Sequence, residues 1–184
     1  IIPVDDLVKN IDSKYKYNSD YITKGFYFDN HYWAMPFQAI GQVLYYNQRL
    51  LDKYKAPAPL TWPDMIEAGR KCFKPKDGVW GFGVPTAKNY YTNQCIYAFM
   101  IGAGGDYWEL KDGKMVAALN SPENVKAFTQ YVELTKTAPP GASDWMWADM
   151  DFNYATEKIV AGLNWTCTLD AIQKNNPSII PYSK

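Results

Sequence analysis

Tyr32-Trp33-Ala34-Met35-Pro36-Phe37-Gln38-Ala39-Ile40-Gly41-Gln42-Val43-Leu44-Tyr45-Tyr46-Asn47 joins two apolar runs through a proline and a stretch of small residues. His31 to Met35 reads as a strand that stops at Pro36, because proline has no N–H to give to a ladder. Gln42 to Asn47 reads as a second strand, followed by a helix near Gln48 to Tyr54 with Leu50 and Leu51 on its inner face. Beyond the loop Lys55-Ala56-Pro57-Ala58-Pro59 comes Thr61-Trp62-Pro63-Asp64, a strong helix start. Thr61 is placed to accept a backbone N–H, and Asp64 sits where a capping box puts its acid. Met65, Ile66, Gly69, Cys72 and Phe73 follow at helical spacing.

Outward from this stretch, Pro3-Val4-Asp5-Asp6-Leu7 opens a short helix, with carboxylates at its positive end. Val79 to Val84 reads as a strand, Asn89 to Asn93 as a loop, and Asn93 to Ile101 as a helix ended by Gly102-Ala103-Gly104-Gly105. Asp112-Gly113 inside Tyr107 to Leu119 is a hairpin signal. Ser121-Pro122-Glu123 starts a helix whose expected buried stripe is Val125, Phe128 and Val132. After the break at Pro139-Pro140-Gly141, Phe152 to Glu157 reads as a short helix, Lys158 to Leu163 as a strand and Leu169 to Lys174 as a helix. Strands alternate with helices throughout, which predicts an α/β architecture.

Composition narrows the function. The 184 residues carry 19 basic and 19 acidic side chains, so the net field that a nucleic acid or an acidic membrane needs is missing. Aromatic residues make up 16%, enough both to pack a core and to supply flat rings for the C–H faces of sugars. Cys72, Cys95 and Cys167 lack metal spacing and are expected to be buried as small hydrophobes, although one disulfide among them is open in an exported protein. His31 has no companion ligands, so no metal and no cofactor is expected. The start shows neither Met nor a signal sequence, which reads as a processed or excised chain.

Read in order, Trp33 to Pro36, Tyr45-Tyr46-Asn47, Thr61 to Asp64, Gly81-Phe82-Gly83, Gly104-Gly105, Ala118 to Glu123, Pro139 to Ala142 and Asn164-Trp165 resemble the extracellular solute-binding proteins of ABC importers, in the sugar- and polyol-carrying branch. The resemblance implies a periplasmic-binding-protein-like (type II) two-lobe fold, here as an internal piece of a longer protein. Residues 1–38 would end the amino-terminal lobe, 39–41 cross between lobes, and 42–184 form most of the carboxy-terminal lobe. It further implies a periplasmic or extracellular location, no enzymatic activity, membrane permease subunits as partners, and surface left bare on which copies of the piece can associate. One departure stands out. The family's Phe-x-x-Gly-Lys-x-Ala-Met pattern falls on Phe152 to Ile159 with Ala155 at the glycine position, and alanine does not take a left-handed turn cheaply.

By the same resemblance the solute lies at the ends of strands and at the crossover, which agrees with the rule for open α/β sheets. Phe37 and Gln38 at the crossover, Tyr90, Tyr91 and Asn93 before a helix, Trp147 in an acid-flanked Trp pair, and Asn164 with Trp165 after the last strand are the expected contacts. Each residue also has an ordinary role as a packed ring or a backbone-bonded amide. Two other uses of such residues exist: a sugar-sensing module on the same fold, and a glycoside-processing enzyme. The enzyme needs two carboxylates about 5–10 Å apart at one bond, and Asp144, Asp149 and Glu157 read instead as solvated surface.

Overall fold

The computed structural model describes residues 1–15, 25–35 and 40–184. The chain divides into two compact units, Ile1–Ile40 and Gly41–Lys184.

In the first unit the helix α1 spans Asp5–Tyr15, and the strands β1 (Tyr27–Phe28) and β2 (His31–Tyr32) pair antiparallel. Asp5 fixes this corner. Its carboxylate accepts from the Tyr32 backbone N–H at 2.9 Å and lies 2.9 Å from His31 Nδ1. These contacts, the Tyr32 N–H first, hold the carboxyl below its ordinary range. The strand expected over His31 to Met35 is shorter, His31–Tyr32, with one further backbone hydrogen bond from Trp33 N–H to the Phe26 carbonyl at 3.0 Å.

The second unit is built on β3 (Gln42–Tyr46), β4 (Trp80–Phe82) and β7 (Ile159–Trp165) in the order β3-β7-β4. The edge strand β3 runs antiparallel to β7 and β4 runs parallel to it. Ile159 to Asn164 are all buried, as expected of a central strand covered on both faces. Between β3 and β4 lie α2 (Gln48–Tyr54) and α3 (Trp62–Cys72). α4 (Tyr90–Gly102), the hairpin β5 (Trp108–Lys111) and β6 (Lys114–Ala117), and α5 (Pro122–Thr135) follow. α6 (Trp147–Ala155) precedes β7, and α7 (Thr168–Asn175) follows it. At the outer edge of β3, Tyr46 and Lys184 exchange both backbone hydrogen bonds, 3.0 and 3.1 Å.

Local chemistry explains several boundaries. Thr61 and Asp64 form the expected reciprocal capping box, and Ser121 caps α5 by accepting from Asn124 N–H. Asp112 and Gly113 both adopt positive φ, 52° and 73°, as the tight hairpin turn requires. Gly81 on β4 lies against Gly69 on α3, where a Cβ on Gly81 would meet the Gly69 Cα at 2.7 Å. The helix can approach the sheet this closely only because Gly81 lacks a side chain; a Cβ on Gly69 would lie an ordinary 3.8 Å from the Gly81 Cα.

Other expectations need correction. Val125, Phe128 and Val132 are exposed, and α5 buries Asn124, Ala127, Tyr131 and Leu134 instead. Phe73 lies past the end of α3 and is exposed. Cys72 and Cys95 are buried, but Cys167 is exposed, and all three are free thiols. The left-handed residue near the end of α6 is Glu157 (φ 57°), with Ala155 remaining helical.

Glu157 is therefore no solvated surface acid. It ion-pairs with the Arg49 guanidinium and accepts from Asn47 Nδ2 at 2.9 Å. Burial pulls its carboxyl upward, but the bonds from Arg49 and Asn47 outweigh this and hold it below the ordinary range. A depressed acid stabilises the fold above its unfolded value of about 4.3, and that share is lost as pH falls through the folded value. Urea denaturation of Glu157→Gln should thus show a deficit at pH 7 that shrinks below about pH 4. A deficit that is constant with pH would assign the loss to something other than the charge.

Candidate functional site

β4 and β7 are parallel, so their carboxyl ends share one edge of the sheet. Beyond that edge the segment after β4 is laced to the segment before α6. Thr86 and Ala87 N–H groups donate to the Ser143 carbonyl (3.0 and 2.6 Å), and Asn89 Nδ2 lies 3.4 Å from Met146 Sδ. Asn89 caps α4 by accepting from Thr92 N–H, and Asp149 accepts from Met146 N–H at the start of α6. Gly41, just before β3, accepts from Thr166 N–H beside the end of β7. The amino ends of α4, α6 and α7 all gather at this edge.

These starts set the aromatic side chains. Tyr90 is 56% exposed and Trp147 41% exposed, with ring centroids 6.0 Å apart. Trp165, the last residue of β7, is partly buried. Tyr90 and Trp147 thus present neighbouring flat rings with polar tips, a chemistry that suits a hydroxylated ligand with C–H faces. Tyr90 was expected in a loop; it is the first residue of α4, so its position is fixed by the helix cap.

Tyr91 and Asn164 stand behind this wall. Tyr91 is 0% exposed, its ring edge-on to Trp147 at 6.5 Å, and its hydroxyl lies 3.1 Å from Asn164 Oδ1 and 3.3 Å from the Leu163 carbonyl. Burial pushes its phenol far above the ordinary range. Asn164 is 1% exposed and its Nδ2 donates to the Trp147 carbonyl (3.1 Å) and to Asp151 Oδ1 (2.7 Å). Their polar atoms are committed to the protein. Asn93 is exposed, with its Oδ1 accepting from the Tyr107 hydroxyl at 2.7 Å, next to the stacked pair Tyr97–Tyr107. Phe37 and Gln38 lie outside the described residues.

Sequence reasoning missed Asp151. This half-buried acid in the middle of α6 also accepts from Thr168 Oγ1 at 2.7 Å. Burial raises its carboxyl above the ordinary range, partly offset by the bonds from Thr168 and Asn164. No local motif announces it, because its partners come from a strand end and from the next helix. A separate cavity of about 360 Å³ lies at the other end of α4, lined by Leu44, Leu60, Trp62, Gly102 and Gln130 among others. It shares no residue with the strand-end site. Among the described residues no cluster of His, Cys, Asp or Glu could hold a metal ion, and no helix is long and apolar enough to cross a membrane.

Residues 2–182 match the family described as bacterial extracellular solute-binding protein. The fold is similar to an ABC transporter solute-binding protein from Thermotoga lettingae TMO bound with α-D-tagatose (TM-score 0.85, 23% identity, 100% of this chain and 47% of that one). It is also similar to one from Agrobacterium radiobacter K84 in complex with ribitol (0.84, 25% identity, 99% and 47%). Maltose-bound MalE3 of T. maritima is a third (0.80, 23% identity, 97% and 45%). The chain spans about half the length of these proteins.

Proposed function

The chain belongs to the bacterial extracellular solute-binding protein family, whose members capture solutes and do not catalyse reactions, and from that premise we propose that the complete protein captures a sugar or polyol for an ABC importer. In this reading residues 1–38 end the amino-terminal lobe, 39–41 cross over, and 42–184 supply most of the carboxy-terminal lobe. Tyr90, Trp147 and Trp165 form the solute-facing wall, with Asn93 at the rim. The observation that carries it is the exposure of Tyr90 and Trp147, 6.0 Å apart, at the sheet edge where β7 ends in Trp165. Relatives holding α-D-tagatose, ribitol and maltose favour a hydroxylated ligand.

Contacts made from both lobes exist only when the lobes close, so a solute shifts the population towards the closed form. A membrane permease at the cell exterior or in the periplasm then meets that form. Thermal denaturation of the complete protein against a panel of sugars and polyols checks this reading. At least one compound should raise the melting temperature saturably, as preferential binding to the native state requires. A panel that leaves it unmoved at millimolar concentrations removes sugars and polyols as the ligand class.

A further inference from the structure

We propose that Asp151 is a positioning residue that sets the aromatic wall through a buried polar network. This rests on the reading of that wall as the solute surface. The carboxylate oxygen Oδ1 accepts at 2.7 Å from both Asn164 Nδ2 and Thr168 Oγ1, and so ties α6 to β7 and to the start of α7. Asn164 extends the network in two further directions, donating to the Trp147 backbone carbonyl at 3.1 Å and lying 3.1 Å from the Tyr91 hydroxyl. The network thus touches the backbone of Trp147, the residue before Trp165, and the neighbour of Tyr90. Trp147 joins it through its backbone carbonyl, Tyr90 and Trp165 each adjoin a member along the chain, and none of the three wall rings takes part in it.

The chemistry favours positioning over solute contact. Asn164 is 1% exposed and its Nδ2 has two acceptors, so it has nothing to offer a sugar. A buried network of this kind acts as a unit, because each unpaired member would cost its full desolvation. It also gives one arrangement rather than several, since Oδ1 must meet an amide and a hydroxyl together. A ring wall needs that fixity: a stacked sugar loses its hydrogen-bond alignment when the ring behind it shifts. Burial raises the Asp151 carboxyl above its ordinary range, and the bonds from Thr168 and Asn164 partly offset this.

The test uses the complete protein with its tryptophans replaced by 5-fluorotryptophan, read by fluorine NMR without sugar and by calorimetry with D-tagatose, ribitol and maltose. Asp151→Ala should move or broaden the Trp147 and Trp165 resonances and weaken the best of these ligands roughly tenfold. Asp151→Asn keeps an Oδ1 acceptor and should recover most of both. Thr168→Val, which removes one donor, should move the same two resonances if Asp151→Ala does not fold. Unmoved Trp147 and Trp165 resonances in a folded Asp151→Ala or Thr168→Val protein overturn the proposal, as does an Asp151→Asn protein no better than Asp151→Ala. If none of these three ligands binds the parent while the resonances respond as stated, the positioning role stands and the three compounds are removed as its solutes.

Discussion

Trp165→Ala in the complete protein should weaken sugar or polyol binding by about 10- to 150-fold, roughly 1.5–3 kcal/mol. Covering ~50 Å² of a sugar's C–H face at ~25 cal/mol/Å² contributes about 1 kcal/mol before any hydrogen bond. Truncation costs more than this, because the hydroxyls held elsewhere lose their alignment when the stacking plane goes. Trp165 closes β7 and pairs in register with Gln42, so its backbone is held by the sheet whatever its side chain does. The loss should therefore appear in calorimetry while the melting temperature without ligand changes little. Unchanged affinity would remove Trp165 from the site.

The largest effect on stability is expected from Phe99→Ala. Phe99 is fully buried on α4, stacked on Trp62 with centroids 3.9 Å apart and edge-on to Tyr131 at 5.1 Å. It joins α3, α4 and α5, so neighbouring helices cannot collapse into the space without moving against the sheet. Removing a buried phenylalanine costs about 3–5 kcal/mol, as lost transfer energy plus a cavity. For a domain of this size that corresponds to a fall of roughly 6–20 °C in melting temperature. A fall of a degree or two would mean that the Trp62 ring refills the gap and that the stack is not the pin described here.

The fold was most legible where one residue type performs one local task. Thr61 with Asp64, Asp112 with Gly113, and Ser121 before Pro122 each satisfy a backbone need within a few residues, and the helices and the hairpin start or turn there. Tertiary choices were less legible. Val125, Phe128 and Val132 share helical spacing with the stripe that is in fact buried, Asn124, Ala127, Tyr131 and Leu134. Apolarity alone favours the first set. Asn124 goes inside because its Nδ2 donates to the Asp106 and Ala118 carbonyls beside the hairpin, a partnership no sequence window contains.

The same division runs through the site. Tyr90, Trp147 and Trp165 stood out because large rings at the ends of elements are conspicuous in sequence; Tyr90 and Trp147 lie 6.0 Å apart, and Trp165 ends β7. Tyr91 and Asn164 read equally well as solute contacts, and burial is what separates them from the wall. Asp151 gave no signal, since an acid in the middle of a helix ordinarily faces water. The left-handed turn at Glu157 (φ 57°) was also hidden, because a residue other than glycine closes α6 there, with Glu157 N–H donating to the Tyr154 carbonyl and Lys158 N–H to the Asn153 carbonyl.

The most direct test of the central claim is a crystal structure of the complete protein grown with the sugar or polyol that most raises its melting temperature. The predicted result is a ligand whose C–H face lies in van der Waals contact with the Trp165 indole, within reach of Tyr90 and Trp147. Ligand found instead in the cavity beside Trp62 and Leu60, or anywhere that leaves the Trp165 ring uncovered, would contradict the account.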